Sequence, residues 1–216
     1  RRMIAEKITF GEHEQEEFGL LPKQVISNPP EVKTYLVPVP GRSGSLDFTE
    51  ALTDGQPAYS DRLLTITMYC FAEEERLPEM ESACRNALHG RKLNIMLDCD
   101  PGYYYRGRLS VDWVSEDNID IATITATCDP YKYKLSPTVK EFDVSGSLSV
   151  TLPNDRMPTV PMVTTDAEIT IQFGESTIVF PAGTRKAPAL LLLEGENQLT
   201  LTGSGHIKFE YQEGAL

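Results

Sequence analysis

The sequence predicts a mainly β chain: an N-terminal β-sandwich-like domain with one α-helix, then a small antiparallel β-sandwich. Three observations carry this. Runs of alternating polarity recur along the chain, the clearest being Arg62 to Phe71 and Ile119 to Cys128. Period-two alternation rich in β-branched residues marks half-buried strands. One stretch alone, beginning at Leu77-Pro78, carries apolar residues at helical spacing. After Pro137 the texture changes to short apolar runs separated by Gly, Asn and Asp, which suits a sandwich of short strands.

Taken in order, Met3 to Phe10 reads as the first strand. It sets Ile4, Glu6, Ile8 and Phe10 against Ala5, Lys7 and Thr9. Gly11 to Glu17 is a polar, acidic turn, and Phe18 to Ile26 is a second extended run. Asn28-Pro29-Pro30 ends that run, because proline removes a ladder donor and restrains the residue before it. Val32 to Val39 is strand-like and stops at Pro40-Gly41. The link Gly41 to Asp61 is too long for a hairpin turn, and links of that length are uncommon and usually functional. In the strand that follows, Leu64, Ile66, Met68 and Cys70 share one face, with Leu63, Thr65, Thr67 and Tyr69 on the other.

The helix places Leu77, Met80, Cys84, Ala87 and Leu88 on one face. Pro78 suits its first turn, and Gly90 is a natural left-handed stop. Glu79 and Glu81 sit near its positive end, Arg85 and His89 near its negative end. His89 is read as a helix-terminal residue rather than a catalyst. Leu93 to Leu97 is a short strand. Asp98-Cys99-Asp100-Pro101-Gly102 is a turn whose aspartates cap backbone amides. Tyr103 to Val114 and Ile119 to Cys128 pair across Ser115 to Asn118. The tyrosines Tyr103 to Tyr105, beside Arg106 and Arg108, are assigned to core packing and a protein contact.

Asp129 to Pro137 is the expected boundary, giving domains 1–136 and 137–216. The second domain is expected to hold strands at Val139 to Val144, Leu148 to Leu152, Thr159 to Thr164, Glu168 to Phe173, Thr177 to Phe180, Gln198 to Thr202 and His206 to Tyr211. Ala189 to Leu193 reads as a strand buried on both sides.

Composition excludes several classes. With 20 Lys+Arg against 32 Asp+Glu the net charge is -12. Both parts are acidic, so a phosphate-gripping module and stable DNA binding are not expected. Cys70, Cys84, Cys99 and Cys128 show no metal spacing and read as free thiols, mostly buried. No apolar run approaches the roughly 20 residues that span a bilayer, and no signal peptide is read at the start, where Arg1-Arg2 precede Met3. No nucleophile elbow, P-loop, zinc or dinucleotide motif is present, so no catalytic, cofactor or metal residue is assigned.

The string Pro40-Gly41-Arg42-Ser43-Gly44-Ser45-Leu46-Asp47-Phe48-Thr49-Glu50-Ala51-Leu52, followed by Tyr59 and the Arg62-led strand, resembles the distal tail proteins of long-tailed phages and prophages of Gram-positive bacteria. Leu88-His89-Gly90, Asp98 to Tyr104, Arg106-Gly107-Arg108 and Asp129-Pro130-Tyr131-Lys132 match in the same order. The resemblance covers most of residues 4 to 135. It implies a hexameric ring in the virion, between the tail tube protein and the tail-tip or receptor-binding apparatus. The N-terminal domain would make the ring, with a galectin-like C-terminal domain facing outward. It also implies that Pro40, Gly41, Arg42, Gly44, Asp47, Tyr59 and Arg62 order the long link or lie at a subunit contact. The alternative is a carbohydrate-binding module that touches the host wall. Against it, the chain past Pro137 has no Trp and one Tyr, Tyr211, where sugar sites commonly use exposed aromatic faces.

Overall fold

The computed structural model describes residues 2–51, 53, 55–116 and 119–216. Arg1, Leu52 and part of the turn expected at Ser115 to Asn118 lie outside the described residues. The chain divides into two compact units, Arg1–Lys132 and Tyr133–Leu216. Strands dominate both, and one α-helix is found among the described residues.

The first unit holds β1 (Arg2–Met3), β2 (Ile8–Phe10), β3 (His13–Glu14), β4 (Leu20–Ser27), β5 (Leu36–Pro38), β6 (Ser45–Asp47), β7 (Arg62–Cys70), α1 (Leu77–Leu88), β8 (Lys92–Leu97), β9 (Tyr103–Glu116) and β10 (Ile119–Cys128). Eight of the strands form one antiparallel sheet in the order β1-β4-β7-β10-β9-β8-β2-β3. The alternation of the long strands separates its buried face from its outer one. Leu64, Ile66, Met68 and Cys70 on β7 meet Ala122, Ile124, Ala126 and Cys128 on β10. They share a core with Ile95, Leu97, Leu109, Val111, Ile8 and Phe10.

Helix α1 adds Cys84 and Leu88 to that core, with Leu77, Met80 and Ala87 packed alongside. Pro78 stands in its first turn, and Gly90 (φ 77°) follows its end. His89 there does structural duty: its Nδ1 accepts the N–H of Val111 at 3.1 Å.

Three N-terminal expectations are corrected. The first strand is broken between Met3 and Ile8, and Met3 and Ala5 are buried while Ile4 stands 77% exposed. The carboxylate of Asp98 takes the N–H of Glu6 at this break, holding the chain out of strand register. Gln15–Phe18 is a 3-10 turn whose Gln15 Oε1 accepts Ile8 N–H at 2.7 Å, so the next strand starts only at Leu20. Val32 to Val39 is not one strand; only Leu36–Pro38 is, and it pairs away from the main sheet.

The second unit holds β12 (Thr138–Asn154), β13 (Met162–Thr165), β14 (Ile169–Phe173), β15 (Ser176–Phe180), β16 (Gly183–Arg185), β17 (Gly195–Tyr211) and β18 (Gly214–Ala215). The strand before them, β11 (Lys132–Lys134), pairs with β18. β12 and β17 are each 17 residues long and pair from Thr138↔Tyr211 to Asn154↔Gly195. The other edge of β17 takes β14 along one half and β13 along the other, with β15 and β16 outside them. Leu152, Ile171 and Leu201 from one half share a core with Val163, Ile207 and Phe209 from the other.

The sequence divides each long strand in two, because its glycines look like turns. In the structure Gly146 lies opposite Gly203 and the ladder runs through. A Cβ on Gly203 would stand 2.8 Å from the Glu168 carbonyl, and one on Gly205 would stand 2.5 Å from Asp166 Oδ1. These glycines allow close approach within a strand rather than ending it. Ala189 to Leu193 is also not a strand. Thr159 and Leu192 form an isolated bridge, Leu190 and Leu192 are buried, and Leu191 is 40% exposed.

Candidate functional site

The long link leaves and re-enters the sheet through a narrow neck. Asn28 N–H reaches Leu63 O at 3.2 Å, Ser60 N–H reaches Glu31 O at 2.8 Å, and Lys33 N–H reaches Ala58 O at 2.8 Å. Val32 and Tyr59 pair in a bridge between them. Beyond the neck the chain makes an arm whose stem is the β5–β6 hairpin, with Leu36↔Asp47, Val37↔Leu46 and Pro38↔Ser45 in register.

Local chemistry shapes the arm. Pro40 opens the tip, and Arg42 N–H closes a turn on Val39 O at 3.2 Å. Gly41 and Gly44 take left-handed φ of 79° and 77° there, which other residues resist. Asp47 Oδ1 accepts Thr49 N–H at 2.9 Å, and bonding to the Thr49 side chain, then to its backbone, keeps the Asp47 carboxyl below the usual value. Thr49 Oγ1 in turn accepts Tyr35 N–H at 3.0 Å. These bonds order the base of the hairpin while leaving its apolar groups in water. Tyr35 is 65% exposed, Leu36 53% and Phe48 44%, with the Tyr35 and Phe48 rings 6.4 Å apart. These apolar groups gather on an exposed hairpin that forms a two-stranded sheet of its own.

At the root of the arm, residues far apart in sequence converge. Tyr59 meets Tyr131 edge to face, ring centres 5.7 Å apart. Arg62, first residue of β7, points into the core at 4% exposure, its guanidinium 5.5 Å from the Tyr105 ring centre. The Tyr105 hydroxyl donates to Asp100 Oδ2 at 2.7 Å. Burial, then that bond to Asp100, push its phenol well above the ordinary value. Lys132 Nζ bonds both Asp100 oxygens, at 2.9 and 2.8 Å, and sits 4.4 Å over the Tyr103 ring. Thus Tyr59, Arg62, Asp100, Tyr103, Tyr105, Tyr131 and Lys132 form one corner that anchors the neck. Asp98 caps a backbone amide as expected, whereas Asp100 is an ion-pair residue.

The corner has no catalytic geometry. Cys128, opposite Arg62 in the ladder, is pushed up to about 12 by burial, so it is a thiol and not a nucleophile. His13 pairs with Glu17 and His206 with Asp143, each on its own surface. Among the described residues no group of three His, Cys, Asp or Glu side chains could hold a metal ion. The structure therefore brings Tyr59 and Arg62 together with the turn and boundary motifs, and sets Pro40, Gly41, Arg42, Gly44 and Asp47 apart on the arm. Sequence reasoning assigned Tyr105 to core packing without its partners, and it missed Lys132 as an anchor, whose signal was only that it lies inside a motif that matches the resemblance.

Comparison with known proteins agrees with this architecture. The crystal structure of the SPP1 Dit (gp 19.1) protein is similar to this chain with a TM-score of 0.74, over 97% of this chain and 99% of that one, at 16% sequence identity. This chain has the fold of a phage distal tail protein. The SPP1 protein is described as a paradigm of hub adsorption apparatus in phages that infect Gram-positive bacteria. No family model matches the sequence, and no curated protein matches it.

Proposed function

We propose that the chain is a structural component of a phage or prophage tail tip: a distal tail protein that closes into a hexameric ring. The ring would sit between the tail tube and the tail-tip or receptor-binding apparatus. The fold likeness along the whole chain supports the tail-tip role, and the exposed apolar arm is the observation that carries the assembly. An arm on one side of a subunit that grips the next copy elsewhere makes a head-to-tail contact, which must close into a ring or grow into a filament. The acidic surface suits passage of DNA through such a ring, since a negative wall does not hold a polyphosphate.

β7 is not an edge, because β4 and β10 flank it. The contact falls to the arm instead. Light scattering after gel filtration across a concentration series tests the ring. Six copies of 24.1 kDa give a mass of roughly 145 kDa for a closed hexamer. A dimer that persists at every concentration would refute it.

A further inference from the structure

A guanidinium presents its Nε–H and one Nη–H side by side, as a fork that matches the two oxygens of a single carboxylate. In Arg62 these two nitrogens, Nε and Nη2, are buried without an acceptor. Arginine does not shed its proton, so this is a buried charge and not a buried neutral base. Native chains rarely leave such a donor open, and each instance calls for a reason.

The surroundings do not fill the fork. Tyr105 offers its ring, since its hydroxyl is turned to Asp100. Both Asp100 oxygens are held by Lys132. Cys128 is a neutral thiol bonded to Ala126 O at 3.6 Å. Asp61, next in the chain, is exposed. The site lies at the root of the arm, beside Tyr59 and Ser60, which are only half-buried.

We propose that the Arg62 fork is the seat of a carboxylate supplied by a second copy of the chain, filled when copies join through the arm. This rests on the ring reading. The ligand chemistry follows from the fork, and the source follows from supply and place. The chain has 32 acidic residues, the Asp100 carboxylate beside Tyr105 is already committed to Lys132, and the arm through which the ring reading joins copies is rooted at this corner. In the free chain the residue is a cost to stability; in the assembly it is a specific clamp.

The test uses the full chain with Arg62→Met and Arg62→Lys. Thermal unfolding in dilute solution is followed with sodium formate, the smallest carboxylate probe, against sodium chloride at equal ionic strength. Formate should raise the Tm of the wild-type chain and not of Arg62→Met. Without formate Arg62→Met should melt a few degrees higher than wild type, because an apolar chain of similar reach replaces a buried unpaired charge. By light scattering, Arg62→Met should need at least a ten-fold higher concentration to assemble, with Arg62→Lys between. A lower Tm for Arg62→Met without formate, an equal formate effect on both chains, or wild-type assembly by Arg62→Met overturns the proposal. So does a crystal structure of the free chain with a water molecule on both nitrogens. If Arg62→Met does not fold, the formate response of the wild-type chain and the assembly of Arg62→Lys decide. A wild-type chain that is monomeric throughout refutes the ring and with it the second-copy source, while the formate arm still judges the fork.

Discussion

Arg62 and Glu213 are both charged residues at 4% exposure, one in each unit, and the fold treats them in opposite ways. Glu213 is fully engaged. Its Oε1 pairs with Lys134 Nζ at 3.0 Å and takes the Thr138 hydroxyl, and its Oε2 accepts Asp155 N–H at 2.9 Å. Lys134 also reaches Asp155 at 3.0 Å, and the backbone of Lys134 bonds Glu213 O. This network fastens the end of the second unit to its beginning. Arg62 keeps two donors open beside an aromatic ring. A buried polar network whose members are all satisfied rigidifies one structure, whereas an unpaired buried group is a cost to it.

The comparison can be broken first with an uncharged neighbour. Ile66 shares a strand and face with Arg62 and is fully buried. Ile66→Ala should cost about 2–5 kcal/mol by urea unfolding, through lost burial and the cavity left. If it costs no more than Arg62→Met, the strand tolerates any change and the Arg62 result says nothing about charge.

Glu213→Ala should cost about 1–3 kcal/mol, because it orphans the Thr138 hydroxyl, the Asp155 amide and one partner of Lys134. The same network predicts a pH dependence. Burial alone would raise the Glu213 carboxyl, but the bonds from Thr138 and Lys134 outweigh it and hold it below its ordinary value. A depressed folded pKa gives stability that is present above the unfolded carboxylate range and lost as pH falls through the folded value. Acid unfolding of wild type should therefore show a decline below pH ~4.5 that Glu213→Gln lacks. Parallel curves for the two chains would remove Glu213 from the account.

The smallest effect on stability belongs to the arm. Tyr35→Ser with Phe48→Ser should shift unfolding by no more than about 0.5 kcal/mol, since both rings already stand in water. The same pair should weaken assembly clearly by light scattering. A large loss of stability with unchanged assembly would reverse the roles given to arm and core.

Much of the fold was legible because burial and period agree. β7 and β10 alternate cleanly, and the two faces that the alternation separates are the buried and the outer ones, with Arg62 on β7 and Asp120 on β10 as charged residues on the buried side. Arg62 was not legible as a core residue, since a buried arginine runs against every composition rule. The arm misled for a related reason. Val32 to Val39 has strand-like residues, but alternation reports a tendency and not a neighbour, and among the described residues β5 pairs with β6 alone. In the second unit Gly146, Gly203 and Gly205 carry the signature of turns, and only the register across β12 and β17 shows otherwise. The convergence at Asp100 and Lys132 joins positions 32 residues apart, beyond the reach of any local pattern.

The neck has a further consequence. Because the arm departs at Asn28 and returns at Leu63 through bonded neighbours, its length is independent of the sheet's register. Doubling such a segment adds only about 0.6 kcal/mol of closure entropy. The hairpin is thus a graft on a fixed socket. Lineages could exchange it for a longer, shorter or differently faced version, and so change which neighbours a subunit accepts, while the strands beneath it keep their places.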